Sequence, residues 1–532
     1  MKRKYKYAVL FCSLCCFLLI TSCTSKREKE NSEVTRNVGD TERVTELTIY
    51  MVGDEVVSSK GSYFTSMYSL GGDYWGTALA WGEKGHIYYD AIRTFEEDTG
   101  IELIVYCFDS TEEIYAQLEV DSKNGTMPDV IVGDANSGSF NVYSYLNSDY
   151  FVDLSGYLKE NEGQYYERVL EGGTVNGAQY IMPLVFNMNV LFSSKRILGE
   201  NGLEFYEYES YTQICEKLTE LLRDKKDERG IAAVSQLVSW LMNAPYMIID
   251  GASGQDWFNY ATGTPEVNEE YVYLLYDFEK ARLEQEFGKE WDEIKQSAKL
   301  HQNILESQKS KSATFHNWMY GNQTFGDIYD LNIIMLEGGG HSTIQLRSAL
   351  AQAVYMNSKY EDLDDELVYV AIPTYEDNMA YTANVTMYAG VTSQCEDAEI
   401  AFSFVKWLAD YEVPWQMGLS IQKENTERMV EERRNTVYTL YPGMGAFDPE
   451  VDPENNEKWL GEPYAIAELD DEICDYFLDM LEHIGTATLP DGELRNRVYA
   501  LILDGLLNDI SKEQVYINIC NDLQQYNGSV VK

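Results

Sequence analysis

The sequence predicts an α/β protein, and three observations carry that prediction. From residue 46 to residue 132, β-rich segments alternate with segments of helical periodicity in the order strand, helix, strand, helix, strand, the opening of a doubly wound parallel sheet. About 490 of the 532 residues lie from residue 46 onward, too long for one compact core and suited to two domains or lobes. The residues before that point carry no globular pattern, so the fold begins near Glu46-Leu-Thr-Ile-Tyr-Met-Val52.

The leading residues read as an address. Lys2, Arg3, Lys4 and Lys6 precede an apolar run of 13 residues, Ala8 to Ile20, and Thr21-Ser22-Cys23 follows. A basic start, a short apolar run and small residues at its end make a secretory signal, too short for an ordinary membrane span. Cys12, Cys15, Cys16 and Cys23 lie here without a nearby histidine, whereas a zinc site needs separated donor pairs converging on one point. Ile20-Thr21-Ser22-Cys23 resembles the lipobox of bacterial lipoproteins, which implies cleavage before Cys23 and fatty acylation (palmitate-type chains) of its thiol and amine. Each buried methylene is worth about 0.8 kcal/mol, so two or more chains hold a protein on a bilayer. A plain signal peptide or a short anchor helix is the alternative. Residues 1–22 are thus expected to be a lipoprotein signal peptide. Residues 23–45, which lack any aromatic, are expected to be a flexible tether.

The elements follow in order. Leu47–Val52 alternates and is β-rich, a first strand; an aromatic, glycine-rich stretch follows at 62–85. Ile87–Gly100 has helical spacing and a glycine stop. Ile101–Tyr106 is a second strand, Glu112–Asn124 a helix and Met127–Val132 a third strand. A helical turn is expected at Phe151–Leu158 and a helix at Ser210–Asp224. Ligands of such sheets bind outside the carboxyl ends of the strands. That rule places Asp54, Asp134 and Asn136, just after the first and third strands, where ligand contacts are expected. Turn chemistry would also put Asp and Asn there.

Charge and composition exclude some classes. The formal net charge is −47, and loss of the four leading cations takes it to −51. Nucleic-acid binding, which needs a basic face, is excluded. No Gly-x-Ser-x-Gly elbow, His-Glu-x-x-His helix or Walker loop is present. Asp448–Glu457 is acidic but lacks the EF-hand pattern and reads as a solvated loop. Cys107, Cys215, Cys395, Cys474 and Cys520 are odd in number and scattered. They read as small core residues, although a pair can form in an exported protein. Forty-one tyrosines and nine tryptophans supply aromatic faces of the kind that hold sugar rings.

Together the motifs resemble the family 1 extracellular solute-binding proteins, the maltose-binding-like class serving ABC importers. The resemblance rests on Ala91-Ile-Arg-Thr-Phe-Glu-Glu-Asp-Thr-Gly-Ile101, Pro128-Asp-Val-Ile131, Gly177-Ala-Gln-Tyr-Ile-Met-Pro183 and Val190-Leu-Phe-Ser-Ser-Lys195. Further on it rests on Phe258–Val267 before a long helix, Ile334-Met-Leu-Glu-Gly-Gly-Gly-His341, Val370–Pro373 and Ala398–Leu408. Lys512–Tyr526 resembles the family's closing helix. The stretch at 62–85 lies outside the family pattern. Phe192-Ser-Ser-Lys195 departs from its usual Tyr-Asn-Lys, and His341 stands where many sugar binders have tryptophan.

The resemblance implies a two-lobed periplasmic-binding-protein-like fold of type II, with a hinge between the lobes and a ligand cleft there. Lobe 1 would take 46–184 and 374–418, lobe 2 185–373 and 419–532. It implies a monomer on the outer face of the bacterial cell membrane, anchored in the bilayer through acylated Cys23. The protein would capture a small-molecule ligand, a sugar by preference, and hand it to the membrane subunits of an importer, with no catalytic residue, metal or cofactor. Sugar hydroxyls need polar partners and sugar faces need aromatic rings. The candidates are Asp54, Tyr74, Trp75, Asp134 and Asn136 from lobe 1 and Asn187 at the crossover. From lobe 2 come Trp240, Asn243 and His341. The alternatives are a binder of a non-sugar solute or a surface polymer, and a surface glycosidase built on a pair of the many carboxylates.

Overall fold

In the computed structural model, the residues described are 45–52, 88–135, 140–194, 257–297, 381–412, 418–441 and 471–526, a few single positions and the short gaps at 288–290 and 413–417 excepted. Shorter pieces are described at 216–223, 336–338, 367–371, 445–447 and 465–468. The expected helix at Ser210–Asp224 is described only in part, and its described residues are helical.

The strand–helix alternation expected from sequence is present. Strand β1 (Glu46–Val52) buries Leu47, Ile49 and Met51 and turns Thr48 and Tyr50 the other way, the period of two of a pleated strand. Helix α1 (Tyr89–Thr99) ends because Gly100 takes a left-handed conformation, φ 74°, and returns its N–H to the Glu96 carbonyl, a state that costs glycine little. Strand β2 (Glu102–Phe108) is followed by helix α2 (Thr111–Asn124), whose N-cap Ser110 accepts from the Glu113 amide. Strand β3 (Val130–Asp134) has Val130, Ile131 and Val132 fully enclosed, as expected of a strand covered on both faces.

After β3 the chain makes a short hairpin at Thr174–Val175 and Ala178–Gln179. Its corner, Asn176-Gly177, has φ values of 56° and 75°, the pair of positive angles that a two-residue hairpin turn needs. Strand β4 (Met182–Met188) then runs into β5 (Val190–Ser194). A hairpin, β6 (Phe258–Asn259) with β7 (Thr264–Pro265), precedes the long helix α3 (Glu269–Phe287). Strands β8 (Leu336–Gly338) and β9 (Leu367–Ala371) pair antiparallel with β5. Strand β10 (Tyr381–Val391), helix α4 (Ala398–Asp410), strand β11 (Leu419–Ser420) and helix α5 (Lys423–Arg433) follow. A small sheet comes next, β12 (Val437–Tyr441) flanked by β13 (Gly445–Phe447) and β14 (Ala465–Glu468). Helix α6 (Asp471–Glu482), strand β15 (Ile484–Thr488), helix α7 (Gly492–Leu507) and helix α8 (Lys512–Leu523) close the chain.

The central sheet has seven strands in the order β11-β4-β10-β3-β1-β2, with β15 also pairing to β10. The chain leaves this sheet at Met188, enters the three-stranded sheet of β5, β8 and β9 at Val190, and is back in the central sheet at Tyr381. The sequence reading put its crossings at 184/185 and 373/374. It assigned 419–532 to the second lobe; β11 and β15 from that stretch pair into the central sheet. Those strands are two and five residues long, too short for a periodic pattern to reveal where they pair. One extended hydrophobic core joins β1 to β4, β10, α4 and α6. The folded unit runs from Val44 to Lys532.

Candidate functional site

Strands β1, β2, β3 and β4 all run in one direction, because β1 is parallel to β2 and β3 while β10 is antiparallel to both β3 and β4. Their carboxyl ends, Val52, Phe108, Asp134 and Met188, therefore share one edge of the sheet, the edge at which α/β proteins hold ligands. Two of the residues chosen from sequence lie there. Met387 of β10 pairs with Asp134 on one side and Val185 on the other, and Asn187 is two residues beyond Val185. With strands about 4.8 Å apart, Asp134 and Val185 stand about 10 Å from each other across β10. The pairing of β10 with β4 shifts register on both sides of Met387. Such bulges bend a strand and re-aim its side chains, and this one lies level with Asp134.

Asp134 is held by its backbone. Thr111, the buried first residue of α2, donates its hydroxyl to the Asp134 carbonyl at 2.8 Å and accepts from the Asp134 amide at 2.9 Å. The start of a helix is thereby pinned to the end of a strand. Behind Asp134, Gly133 is required by packing: a Cβ there would lie 2.5 Å from the Cζ and Oη of Tyr388. The Tyr388 hydroxyl bonds to that of Tyr115 at 3.1 Å. Burial pushes both phenols well above the ordinary tyrosine range; for Tyr388 the adjacent Tyr115 adds to this, and the Asp134 charge after it. Both remain neutral hydrogen-bonding groups.

An aromatic wall follows β3. Phe140 and Tyr145 are half-buried and stacked, centroids 5.6 Å apart and 24° between planes, and each also packs against Tyr115. The Tyr145 hydroxyl donates to Glu119 at 2.8 Å; burial first, and then this carboxylate, push its pKa up. Sequence reasoning missed Thr111, Phe140 and Tyr145. The available signal was the run Phe140, Tyr143, Tyr145, Tyr150 and Phe151, five aromatic residues in twelve. The edge thus carries a carboxylate and a side-chain amide, groups suited to the hydroxyls of a neutral polyhydroxylated molecule, while Phe140 and Tyr145 stack on α2 through Tyr115.

Of the remaining candidates, Asp54, Tyr74, Trp75, Asn136, Trp240, Asn243 and His341, with Cys23, lie outside the described residues. Among the described residues no group of three His, Cys, Asp or Glu side chains converges to hold a metal ion. No helix there is long and apolar enough to cross a membrane. The four described cysteines, Cys107, Cys395, Cys474 and Cys520, form no disulfide with one another. Burial, helped by Asp129, pushes Cys395 up to about 12. A cavity of about 580 Å³ lies between residues 216–223 and α3, lined by Glu216, Glu220, Glu270 and Asp277 among others; no strand of the central sheet lines it.

In comparison with known proteins, a model of the family described as bacterial extracellular solute-binding protein aligns with residues 80–413. No curated protein sequence matches the chain. Among solved structures, a family 1 extracellular solute-binding protein from Alicyclobacillus acidocaldarius is 12% identical. That alignment covers 92% of this chain and 99% of the other, with a TM-score of 0.47. An ABC substrate-binding protein from Listeria monocytogenes in complex with cycloalternan is 13% identical over 91% of this chain and 99% of its own, TM-score 0.40. A cyclic alpha-maltosyl-1,6-maltose binding protein from Arthrobacter globiformis is 12% identical over 91% and 99%, TM-score 0.44.

Proposed function

The chain belongs to the bacterial extracellular solute-binding protein family, and from that premise we propose that it captures a small carbohydrate between two closing lobes and delivers it to an ABC importer. The observation that carries the reading is the shared edge of the central sheet. Asp134 and Asn187 stand there, next to the point where the chain leaves that sheet for another. In this account the central sheet is the frame of lobe 1, and the sheet of β5, β8 and β9 belongs to lobe 2. The chain passes from one to the other after Met188 and returns by Tyr381, and the lobes turn about these crossings. Ligand contacts made to both sides at once favour the closed form, because only differential affinity shifts such an equilibrium.

A neutral sugar suits the edge because its hydroxyls meet Asp134 and Asn187 while its C–H faces lie on rings. Tyr74, Trp75, Trp240, Asn243 and His341 complete the proposed set, with Asp54 and Asn136 beside the strand ends. Acylation of Cys23 holds the monomeric receptor at the outer face of the cell membrane, with residues 23–45 as tether. The protein binds and releases its solute without altering it.

Thermal shift of the chain from residue 24 onward tests this against mono- and oligosaccharides, amino acids, peptides and polyamines. A solute that binds only the native state raises the melting temperature by mass action. A rise with sugars and intact sugar afterwards is expected. A rise only with non-sugars overturns the carbohydrate assignment, and shortened sugars would make the protein an enzyme.

A further inference from the structure

Four segments distant in sequence meet around one buried carboxylate. Asp491 caps α7, accepting from the Leu494 amide at 3.0 Å, and is 5% exposed. Its Oδ2 accepts from the Tyr526 hydroxyl at 2.6 Å and also from the hydroxyl of Tyr260. Tyr526 follows α8, and Tyr260 lies in the β6–β7 hairpin that precedes α3. The Tyr526 oxygen in turn accepts from Asn141 Nδ2 at 2.5 Å. The Tyr260 ring lies 4.1 Å from that of Tyr143, 15° from parallel. Asn141 and Tyr143 come from the segment after β3, at the carboxyl edge of the central sheet. The Tyr143 hydroxyl accepts from the Leu489 amide, just beyond β15, at 3.2 Å.

The cluster therefore has two sides. Asn141 and Tyr143 belong to the segment after β3, while Tyr260 and Tyr526 flank α3 and α8 and Asp491 lies between β15 and α7; α3, α7 and α8 pack on one another. What crosses between them here is a ring stack and one hydrogen-bond chain, Asn141 to Tyr526 to Asp491. A parallel stack tolerates sliding and rotation, since its attraction depends little on in-plane angle. The chain does not: hydrogen bonds weaken steeply with distance and angle, and this one ends on a carboxylate, which strengthens each link. The sheet side carries an opposing cost, because the buried Asn141 Oδ1 has no partner among the described residues, an arrangement that favours any shift bringing it a donor.

Resting on the reading that the lobes close over a solute, we propose that the Tyr143–Tyr260 stack and the Asn141–Tyr526–Asp491 chain form a joint that sets the resting separation of the α3, α7 and α8 group from the central sheet. It biases the empty receptor between its open and closed forms, and no solute contact is needed for it to act.

Distance distributions between spin labels carried on noncanonical residues at Val120 of α2 and Ile517 of α8 test this. Both positions are exposed, and this labelling leaves the native thiols alone. The full chain from residue 24 is compared with Tyr526→Phe, which removes one hydroxyl, and with Tyr143→Leu, which removes the stack. The expected result is a shift or broadening of several ångströms in each variant, without added solute. Distributions that superimpose on the parent while both variants still melt cooperatively overturn the joint. If Tyr143→Leu fails to fold, Tyr526→Phe decides alone. The failure of this inference is distinct from failure of the function above: superimposed distributions in a protein that binds sugar remove only the joint, and a shift in a protein that binds no sugar removes only the solute assignment.

Discussion

Gly133 is the residue on which the candidate site's framework is most exposed to a single methyl group. An alanine there would place its Cβ 2.5 Å from Cζ and Oη of Tyr388 and 3.0 Å from Cε2. Carbon atoms rest about 3.5–4.0 Å apart, so the ring must retreat by about 1 Å. It has nowhere to go: Tyr388 and Tyr115 are both fully buried and joined through their hydroxyls. Overpacking of this kind costs about 1–3 kcal/mol, and a displaced buried hydrogen bond adds about 1–3 kcal/mol. Gly133→Ala should therefore destabilise the chain by roughly 2–5 kcal/mol, seen as a lower urea midpoint with an unchanged slope. Tyr388→Leu should cost less in the Gly133→Ala background than alone, with a coupling of about 1 kcal/mol or more, as expected of residues in contact. A Gly133→Ala variant within about 0.5 kcal/mol of the parent would refute the reasoning, since it would mean that Tyr388 does not lie over Gly133.

Three further outcomes follow from other sites. The carboxylate of Glu279 is fully buried and forks onto Arg282, with Nη2 to Oε2 at 2.8 Å and the Tyr499 hydroxyl at 3.3 Å. Glu279→Ala should cost about 3–5 kcal/mol in urea unfolding by leaving a buried guanidinium without this partner, and a loss under about 1 kcal/mol contradicts it. Asp491 is held above the ordinary carboxylate range by burial, opposed by its bonds from the Leu494 amide, Tyr260 and Tyr526 and supported by nearby Glu493; Arg497 faces the Tyr526 ring and pairs with Glu493 and Asp522. The native state therefore binds this proton more tightly than the unfolded chain. Its contribution to stability falls as pH rises from the unfolded value through the raised native one. Asp491→Asn should flatten that fall in urea midpoints from pH 4 to 8, and a parent–variant difference independent of pH contradicts the sign. Asp134→Ala, Asn187→Ala and Trp240→Ala should each weaken a bound sugar ten-fold or more, about 1.4 kcal/mol per decade, and calorimetric affinities unchanged from the parent remove the residue concerned from the site.

The central sheet was legible where local pattern and tertiary role agree. The glycine stop at Gly100 and the apolar run of Val130–Val132 each announce the element they form. The strand pair before α3 and the closing helix α8 were legible through the family's order of motifs. What stayed hidden depends on partners far away in the chain. Leu419–Ser420 and Ile484–Thr488 become strands of the central sheet only because β4 and β10 offer them open edges. The rule that strand ends face ligands picked out Asp134, and the crossover motif Asn187, and both lie at the carboxyl edge of the sheet. Thr111 was not, because a helix's first residue looks the same in sequence whether or not it grips a strand end 23 residues on. The cluster at Asp491 was equally silent: its members are separated by up to 385 residues, and no spacing rule connects an asparagine after β3 to a tyrosine after the last helix.

The most direct test is a calorimetric titration of the chain from residue 24 with neutral oligosaccharides, followed by analysis of the recovered sugar. The account predicts saturable binding of at least one oligosaccharide, recovered unchanged. Heat from amino acids, peptides or polyamines with none from any sugar, or recovery of shortened sugars, would contradict it.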